Sequence, residues 1–415
     1  MRALYTLFLR LVLPFFLLRL WWRGRREPGY RDSVEERFGA YETEVKPKMV
    51  WIHAVSVGEA RAAAPLVRAL QELLPDHGLL LTCTTAAGRE TLKQVYGESV
   101  LIAYLPYDYP HAIQAFLEHF RPRLGVLMET EVWPNLVAVC AENGVPLLLA
   151  NARMSEKSAR GYRRLRALVE PAFRSLAAVC AQSAGDAERL ASLGARQIEV
   201  TGNLKFDVEP VSHQLEAGRA WRAALARPIL LLASTREGEE KLLLDALPRE
   251  EEERSGRDAK LLVIVVPRHP QRFDEVAEYA QGRRSRNDPV DSQLRIYLGD
   301  TMGEMAFYYG ACDVALIGGS FVPVGGQNLI EALAAGAPVV IGPSVYNFAQ
   351  ATQLALEAGA AMQARDASAG IREALRLLQD EGARKRMREA GARLCASHRG
   401  ATERHVAVCR RLLKM

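Results

Sequence analysis

The stretch "CDVALIGGSFVPVGGQNLIEALAAGAPVVIGP", Cys312 to Pro343, reads in order as a strand, a glycine-rich loop, a helix and a second strand. The loop contains Gly318, Gly319, Gly325 and Gly326. These glycines allow the backbone to turn tightly and to approach a ligand closely. The helix beginning at Gln327 and Asn328 offers free amides to an anion, and Glu331 can accept hydrogen bonds from a ribose diol. The residues alone equally allow a plain helix start with a stabilising first-turn glutamate.

The same alternation of strand and helix extends over most of the chain. No GxGxxG and no GxxxxGK[ST] motif occurs, which argues against a dinucleotide fingerprint and a P-loop. Strands are predicted in the first half at Val50–Val57, Leu79–Cys83, Val100–Ala103, Leu124–Met128, Pro146–Ala150, Ala177–Ala181 and Ile198–Val200. In the second half they are predicted at Ile229–Ala233, Leu261–Val266, Arg295–Tyr297, Val314–Gly318 and Pro338–Ile341. The pattern predicts two α/β domains with parallel sheets.

The predicted organisation has five parts. These are a membrane anchor at 1–26, a domain at 27–210, a linker at 211–226, a domain at 227–390 and a C-terminal helix at 391–415. The first 31 residues carry seven arginines against one glutamate, a net +6, so the remaining residues sum to −1 of the total +5. The basic signal therefore belongs to the N-terminus, and nothing in the charge indicates a nucleic-acid partner. The six cysteines form no CxxC pair and read as buried reduced thiols.

The N-terminal segment "LYTLFLRLVLPFFLLRLWW" is apolar and is followed by "RGRR". Residues 3–22 are long enough to cross a bilayer as a helix, but Arg10, Arg19 and Pro14 disfavour a spanning segment. Arg10 and Arg19 are nine residues apart and face opposite sides of a helix, which argues against one clean amphipathic face. Trp21 and Trp22 before the arginines favour membrane attachment with the following domain in the cytoplasm. The sequence leaves open whether the segment spans the membrane or lies on it.

Carboxylates and basic residues follow several predicted strands of the first half. Glu59 stands where the first strand meets an alanine-rich helix, either as a helix-start residue or as an acid–base group. Glu129 and Glu131 follow another strand and point to the same face. Arg153 and Lys157 belong to a basic run that is typical of a solvated helix face but can also bind phosphates.

Hydroxyl and basic residues occupy comparable positions in the second half. Arg268 follows an apolar run and can neutralise a phosphate. His269, beside it, is more often a structural histidine than a catalyst. Ser234 and Thr235 follow another strand and either cap the next helix, which is the expectation, or bind an oxyanion.

Six segments then occur in one order: "HAVSVGE", "METEVWPNL", "NARMSEKSARGY", "GNLKFD", "VPRHPQRF" and the glycine-loop stretch. Together they resemble the 3-deoxy-D-manno-oct-2-ulosonic acid (Kdo) transferases of lipopolysaccharide synthesis, from about residue 30 to the C-terminus. One position departs from the family pattern, which usually reads Ser-Thr-His where this chain has Ser234-Thr235-Arg236. The role of position 236 is therefore left open.

The resemblance implies a GT-B glycosyltransferase fold, with two Rossmann-like α/β domains facing across a cleft and an N-terminal membrane-anchor helix. It implies inverting transfer of Kdo from CMP-Kdo to the lipid A precursor, lipid IVA, at the cytoplasmic side of the inner membrane, with no cofactor or metal. By the same resemblance, Glu59 would be the general base, and Lys205 would contact a phosphate or the transition state. The acceptor-binding residues would be Glu131, Arg153 and Lys157. The CMP and donor residues would be Ser234, Thr235, Arg268, His269, Gly319, Ser320, Gly326, Asn328 and Glu331.

Two other functions remain open at this stage. A nucleotide-sugar epimerase of similar architecture would act without a lipid acceptor, and a membrane-tethered sensor would bind a nucleotide without turnover. The sequence does not fix the number of Kdo units, the acyl preference for the acceptor or the oligomeric state.

Overall fold

The computed structural model describes residues 1–25, 28–207, 210–248 and 261–415. The chain divides into a first unit, residues 1–208 with 399–415, and a second unit, residues 209–398. Each unit is built on its own parallel sheet, so the predicted fold class is confirmed.

The sheet of the first unit has the strand order β3-β2-β1-β4-β5-β6-β7. Its strands are β1 Met49–His53, β2 Gly78–Cys83, β3 Leu101–Tyr104, β4 Pro122–Met128, β5 Leu147–Ala152, β6 Ala178–Ala181 and β7 Ile198–Val200. The inner strands are apolar almost throughout because helices cover both faces of a parallel sheet. Along β1, Met49 and Trp51 enter one core cluster, whereas Val50 and Ile52 enter the other.

The helices of the first unit lie between these strands and at both ends of the chain. They are α1 Arg2–Arg23, α2 Val57–Ala62, α3 Ala64–Leu73, α4 Ala86–Tyr96, α5 Pro110–Phe120, α6 Pro134–Glu142, α7 Glu156–Arg164, α8 Arg166–Arg174 and α9 Ala184–Ser192. Within the described ranges, α1 is the one helix long and apolar enough to cross a membrane by length and composition.

The sheet of the second unit has the order β10-β11-β9-β8-β12-β13-β14. Its strands are β8 Ile229–Thr235, β9 Leu262–Pro267, β10 Gly282–Arg283, β11 Ile296–Leu298, β12 Val314–Ile317, β13 Val339–Ile341 and β14 Ala361–Gln363. Its helices include α10 Ser212–Leu225, α11 Glu239–Asp245, α12 Phe273–Val276, α13 Met305–Ala311, α14 Leu329–Ala335, α15 Ala349–Glu357, α16 Ala367–Gln379 and α17 Glu381–His398. The sequence missed β10 and β14, which are only two and three residues long.

The connections between the units differ from the prediction. Residues 211–226, predicted as a linker, contain α10, which packs on α13 of the second unit. Gly218 and Gly310 permit this close packing, because a Cβ at either position would lie within 2.4 Å of a carbonyl oxygen of the other helix. The predicted single helix at 391–415 is divided at Gly400, and α18, Ala401–Leu412, returns to the first unit. The predicted end of the anchor, residue 26, lies outside the described residues.

Candidate active site

Glu59 lies in the first turn of α2, directly after β1. Ser56 caps this helix by accepting a hydrogen bond from the Glu59 N–H at 3.2 Å. In return, the Glu59 carboxylate accepts the Ser56 hydroxyl at 3.0 Å and the Val55 N–H at 2.8 Å. This reciprocal arrangement is a variant of the capping box in which the carboxylate accepts the Val55 N–H instead of the Ser56 N–H, so Glu59 does have the helix-start role considered from the sequence.

The surroundings of the Glu59 carboxyl also give it an unusual acidity. Its pKa rises from an ordinary 4.5 to about 7, chiefly because the group is buried and next because of the negative charge of Glu129. Glu131 adds to the rise, while the hydrogen bonds from Val55 and Ser56 oppose it. A carboxylate with a pKa near neutrality is well matched to general-base catalysis. Glu131, predicted from the sequence as an acceptor-binding residue, raises the pKa of Glu59 less than Glu129 does.

Glu129 follows β4 in a left-handed backbone conformation, with φ of 56°. Non-glycine residues rarely adopt this conformation, and it is often found at functional sites. The Glu129 carboxylate pairs with the Lys205 ammonium at 3.0 Å, and the two side chains are only 12% and 14% exposed. Lys205, predicted as a phosphate contact, is therefore engaged with a carboxylate here. Glu131 accepts the Trp133 indole N–H at 2.9 Å, and burial raises its pKa.

A second layer of polar residues supports these side chains, and no local pattern in the sequence predicts it. The Asn151 side-chain oxygen accepts the Leu204 N–H at 3.0 Å, while the backbone N–H of Asn151 donates to Nε2 of His405 at 2.9 Å. Because Nε2 accepts, His405 is protonated on Nδ1, which donates to the Ala401 carbonyl at 2.7 Å. Burial lowers the pKa of His405 to about 4, which keeps it neutral. The C-terminal helix α18 thus supports the segment that carries Lys205.

The predicted acceptor residues Arg153 and Lys157 are four residues apart in sequence but have different surroundings. Arg153 is partly buried, and its N–H donates to the Glu129 carbonyl at 3.4 Å. Lys157 is exposed in the first turn of α7, where Arg160 and Arg163 pair with Glu156. The basic residues of α7 therefore form a solvated helix face, whereas Arg153, which precedes the helix, is partly buried.

In the second unit, the glycine loop after β12 is held by hydrogen bonds to a buried carboxylate. Glu239 accepts the N–H groups of Gly319 at 2.6 Å and Phe321 at 2.9 Å, and it is fully buried. Gly319 and Gly326 both have positive φ, and the Gly326 N–H donates to the Gly319 carbonyl at 2.8 Å. The glycines are thus needed for the loop conformation itself. Sequence reasoning missed Glu239, whose role depends on a contact across 80 residues.

Asn328 and Glu331 are joined at the start of α14. The Asn328 side chain caps the helix by accepting the Ile330 N–H at 3.1 Å and donates to Glu331 at 2.9 Å. Burial raises the pKa of Tyr309 well above its ordinary value, with Glu331 raising it further and Arg268 lowering it. Arg268 and Glu331, two predicted donor residues, therefore both act electrostatically on the same buried tyrosine.

The predicted hydroxyl contacts are used internally. Thr235 donates to Glu240 at 2.6 Å and is fully buried. The buried Ser320 hydroxyl donates to the Ile317 carbonyl at 2.5 Å and accepts the Gly342 N–H at 2.8 Å. Both hydroxyls therefore support the loops rather than point outward. The expected helix capping by Ser234 and Thr235 is wrong, because the residue preceding α11 is Gly238, and Ser234 instead has a positive φ of 59°.

Positive charge surrounds His269. Arg236 forms a short hydrogen bond with the His269 ring, and partial burial, then Arg236 and Arg268, lower the histidine pKa. Arg272 is instead neutralised by Glu240 through two contacts, at 2.7 and 2.9 Å. A neutral histidine beside two arginines is suited to an anionic ligand. Arg236, which departs from the family pattern, thus contributes to this basic group.

No group of three or more His, Cys, Asp and Glu that could hold a metal occurs among the residues that the structure describes. All six cysteines lie in the described ranges and are buried free thiols, as the sequence predicts.

Two units with parallel seven-stranded sheets, preceded by a hydrophobic helix, define the class: the GT-B glycosyltransferase fold. The comparisons with known proteins give the family. The family model for 3-deoxy-D-manno-octulosonic-acid transferase (kdotransferase) matches residues 32–208. The chain is 44% identical to a 3-deoxy-D-manno-octulosonic acid transferase of Bordetella pertussis, over 97% of each chain. It is 33% identical to that of Haemophilus influenzae, over 97% of this chain and 96% of the relative. The protein belongs to the Kdo transferase family.

The fold is shared more widely than the family. The UDP-GlcNAc 2-epimerase of Neisseria meningitidis matches with a TM-score of 0.59 and 15% identity, over 88% of this chain and 100% of the epimerase. That likeness concerns the fold alone.

Proposed function

We propose that this Kdo transferase transfers Kdo from CMP-Kdo to the lipid A precursor, lipid IVA, with inversion at the anomeric carbon. The observation that carries the proposal is the Glu59 carboxyl, whose pKa is raised to about 7 at the end of β1 beside Glu129 and Glu131. Such a group is half ionised near pH 7 and can both accept a proton and release it after each turnover.

In the proposed step, an acceptor hydroxyl attacks the anomeric carbon of Kdo on the side opposite to the phosphate. Glu59 removes the hydroxyl proton as the new C–O bond forms. The bond from the anomeric carbon to the phosphate oxygen breaks, and CMP leaves with the electron pair. Inversion follows because attack and departure occur on opposite faces of the sugar.

The donor is assigned to the second unit. Arg268 and the amides around Gly326 would hold the CMP phosphate, where they offset the charge that develops as it leaves. Glu331, fixed by Asn328, would accept the ribose hydroxyls. Ser320 is buried, so we propose that it supports the loop and does not contact the donor directly.

The acceptor is assigned to the first unit. Lipid IVA carries phosphates, so Arg153 and Lys157 are the proposed contacts, with Glu131 positioning the sugar. We propose attachment through α1 to the cytoplasmic side of the inner membrane, where such a lipid is presented. Lys205 would act through Glu129, because the two are paired.

The test is mass analysis of the product made from CMP-Kdo and a tetraacylated acceptor. We expect the acceptor mass to increase by whole Kdo residues, and the number of increments gives the copy number. Consumption of CMP-Kdo without acceptor would instead indicate an epimerase, and binding without consumption would indicate a sensor. Glu59→Gln should bind CMP normally and lose at least about 10²-fold in turnover.

A further inference from the structure

One stripe of α1 is packed against the first unit along the whole helix. Its partly buried residues are Tyr5, Thr6, Leu9, Val12, Leu13, Phe16, Leu20 and Arg23. They recur every three or four residues, which is the spacing of one helix face. The packed stripe therefore begins in the first turn and continues to the last residue of the helix.

Specific contacts hold the first half of this stripe on the elements around α6. The Asn135 side chain donates to the Thr6 hydroxyl at 2.9 Å, and the Tyr109 hydroxyl donates to the Leu9 carbonyl at 2.7 Å. Asn135 is fully buried, and it also donates to the Asp108 carbonyl at 2.7 Å. The Tyr5 hydroxyl interacts with the buried Asp108 carboxylate. These polar groups would lose their partners if the helix left the unit.

The second half of α1 is held by ring contacts and by the segment that follows. Phe16 stacks on Tyr107 with ring centroids 6.2 Å apart. Arg31 donates to the Trp21 carbonyl at 3.3 Å, and Arg23 lies over the Tyr30 ring at 4.4 Å. The helix is thus fixed at both ends to the same unit.

The opposite face of α1 is apolar and exposed. Seven large side chains on it are each more than half exposed, at 53–72%: Leu4, Leu7, Phe8, Leu11, Phe15, Leu18 and Trp22. A contiguous apolar face of this size on a water-soluble surface marks an interaction site.

The two arginines within the helix border this face. At about 100° per residue, Arg10 and Arg19 lie roughly 180° apart, one on each side of the exposed apolar residues. Their positions disfavour a spanning helix, but they are suited to a helix lying in the membrane plane. There the apolar centre enters the acyl region while arginines on both long edges reach lipid phosphates.

We propose that α1 lies in the plane of an anionic bilayer surface, with its exposed face in the acyl boundary and its packed face on the first unit, and that it does not cross the membrane. The partner is the lipid surface itself, chosen because the face is apolar and its margins are cationic. Because α6 packs on the opposite face of α1, this placement holds α6 next to the membrane-bound helix. Since α6 begins directly after Glu131 and Trp133, the acidic site is kept at a fixed distance from the lipid headgroups.

The test uses the buried state of all six native cysteines, which allows a single introduced thiol to be labelled selectively. Full-length proteins carrying Leu4→Cys, Leu11→Cys or Leu18→Cys are labelled with an NBD maleimide and added to vesicles of phosphatidylethanolamine and phosphatidylglycerol. These three positions share one face, because they are seven residues apart. We expect all three probes to shift to the blue and to show the same shallow depth with lipid-attached quenchers.

Three results would overturn the proposal: a middle probe much deeper than the outer two, a probe at position 4 that becomes protected from dithionite added outside, or three probes that stay in water.

A second measurement uses the double variant Leu11→Glu with Phe15→Glu, which should weaken co-sedimentation with the same vesicles at least tenfold. The matched control is Val95→Glu on α4, a remote exposed apolar site at 40% exposure, which should bind normally. Unchanged binding of the double variant would also contradict the proposal. The placement rests on the proposed attachment through α1, but vesicle binding requires no sugar transfer, so a failure of this test is distinguishable from a failure of the proposed transfer reaction.

Discussion

Replacement of Glu59 by glutamine separates its two roles. The glutamine side chain has the same shape, and its carbonyl oxygen can still accept the Val55 N–H while its amide donates to Ser56. The capping box is therefore largely retained, whereas the proton-accepting carboxylate is lost. We expect turnover to fall by at least about 10²-fold, the usual contribution of a general base.

The same substitution should stabilise the fold in a pH-dependent way. Burial and Glu129 raise the pKa of Glu59 from 4.5 to about 7. A tenfold change in an ionisation constant is about 1.4 kcal/mol, so keeping this carboxylate ionised costs the folded protein about 3 kcal/mol. Because the folded pKa is above the unfolded one, the unfolded chain ionises first as pH rises, and folding stability falls through the interval from about 4.5 to about 7. Glutamine has no such loss.

The measurement is urea unfolding in mild detergent, followed by circular dichroism, at about pH 5 and about pH 8. Relative to the wild type, the free energy of unfolding of Glu59→Gln should gain about 2–3 kcal/mol between these values. The control is Asp186→Asn in α9. Asp186 exchanges hydrogen bonds with the capping residue Ser183, as Glu59 does with Ser56, but its carboxylate is also paired with Arg189. We expect Asp186→Asn to be less stable at both pH values and to keep its turnover.

Two outcomes would refute this reasoning. A stability difference between Glu59→Gln and wild type that is the same at both pH values would mean that Glu59 does not titrate near neutrality in the folded protein. Near-normal turnover of the variant would mean that another group accepts the proton.

Three further perturbations test the surroundings of the site. Glu129→Gln removes the largest charge that raises the Glu59 pKa, so the acid limb of the kcat/KM profile should move to lower pH. Arg268→Ala should weaken CMP binding about 10- to 100-fold in calorimetry, because a charge-assisted contact to phosphate is lost. His405→Phe leaves the buried Asn151 N–H without its acceptor, so the free energy of unfolding should fall by about 1–3 kcal/mol while CMP affinity stays normal.

A specific result would contradict each of these three predictions. An unmoved acid limb in Glu129→Gln would remove that residue from the tuning of the base. Unaltered CMP affinity in Arg268→Ala would place the phosphate elsewhere. A stable His405→Phe, or one that has lost CMP binding, would contradict a support role confined to the first unit.

The parts of the fold that depend on local pattern could be predicted. Apolar runs bounded by turn residues located the long strands, because a strand buried on both faces must be apolar throughout. The capping pattern around Glu59 and the glycine loop before Asn328 could likewise be predicted, because each lies within a few adjacent residues. The family resemblance then gave these positions their chemistry.

The features that were missed depend on distant contacts. His405 supports Asn151 across 254 residues, and Glu239 pins the glycine loop across 80 residues, so no window of sequence joins them. The predicted linker at 211–226 contains α10, whose close packing on α13 depends on Gly218 and Gly310 together, and such a pairwise property is not visible in one window of sequence. The placement of α1 could not be read from its arginines alone, because its packed stripe is defined by the unit beneath it.

Because residues 399–415 return to the first unit, the core of that unit can close only after the whole second unit, residues 209–398, has been synthesised. The strands β1 and β4, which precede Glu59 and Glu129, emerge early, whereas α18 adds Ala401, Val408 and Cys409 to their core after the second unit. A nascent chain that terminates within the second unit therefore carries an uncovered apolar surface and an unsatisfied buried amide, both of which favour aggregation or proteolysis. The first unit therefore cannot be produced on its own by truncating the chain after residue 208, because α18 would be missing from its core.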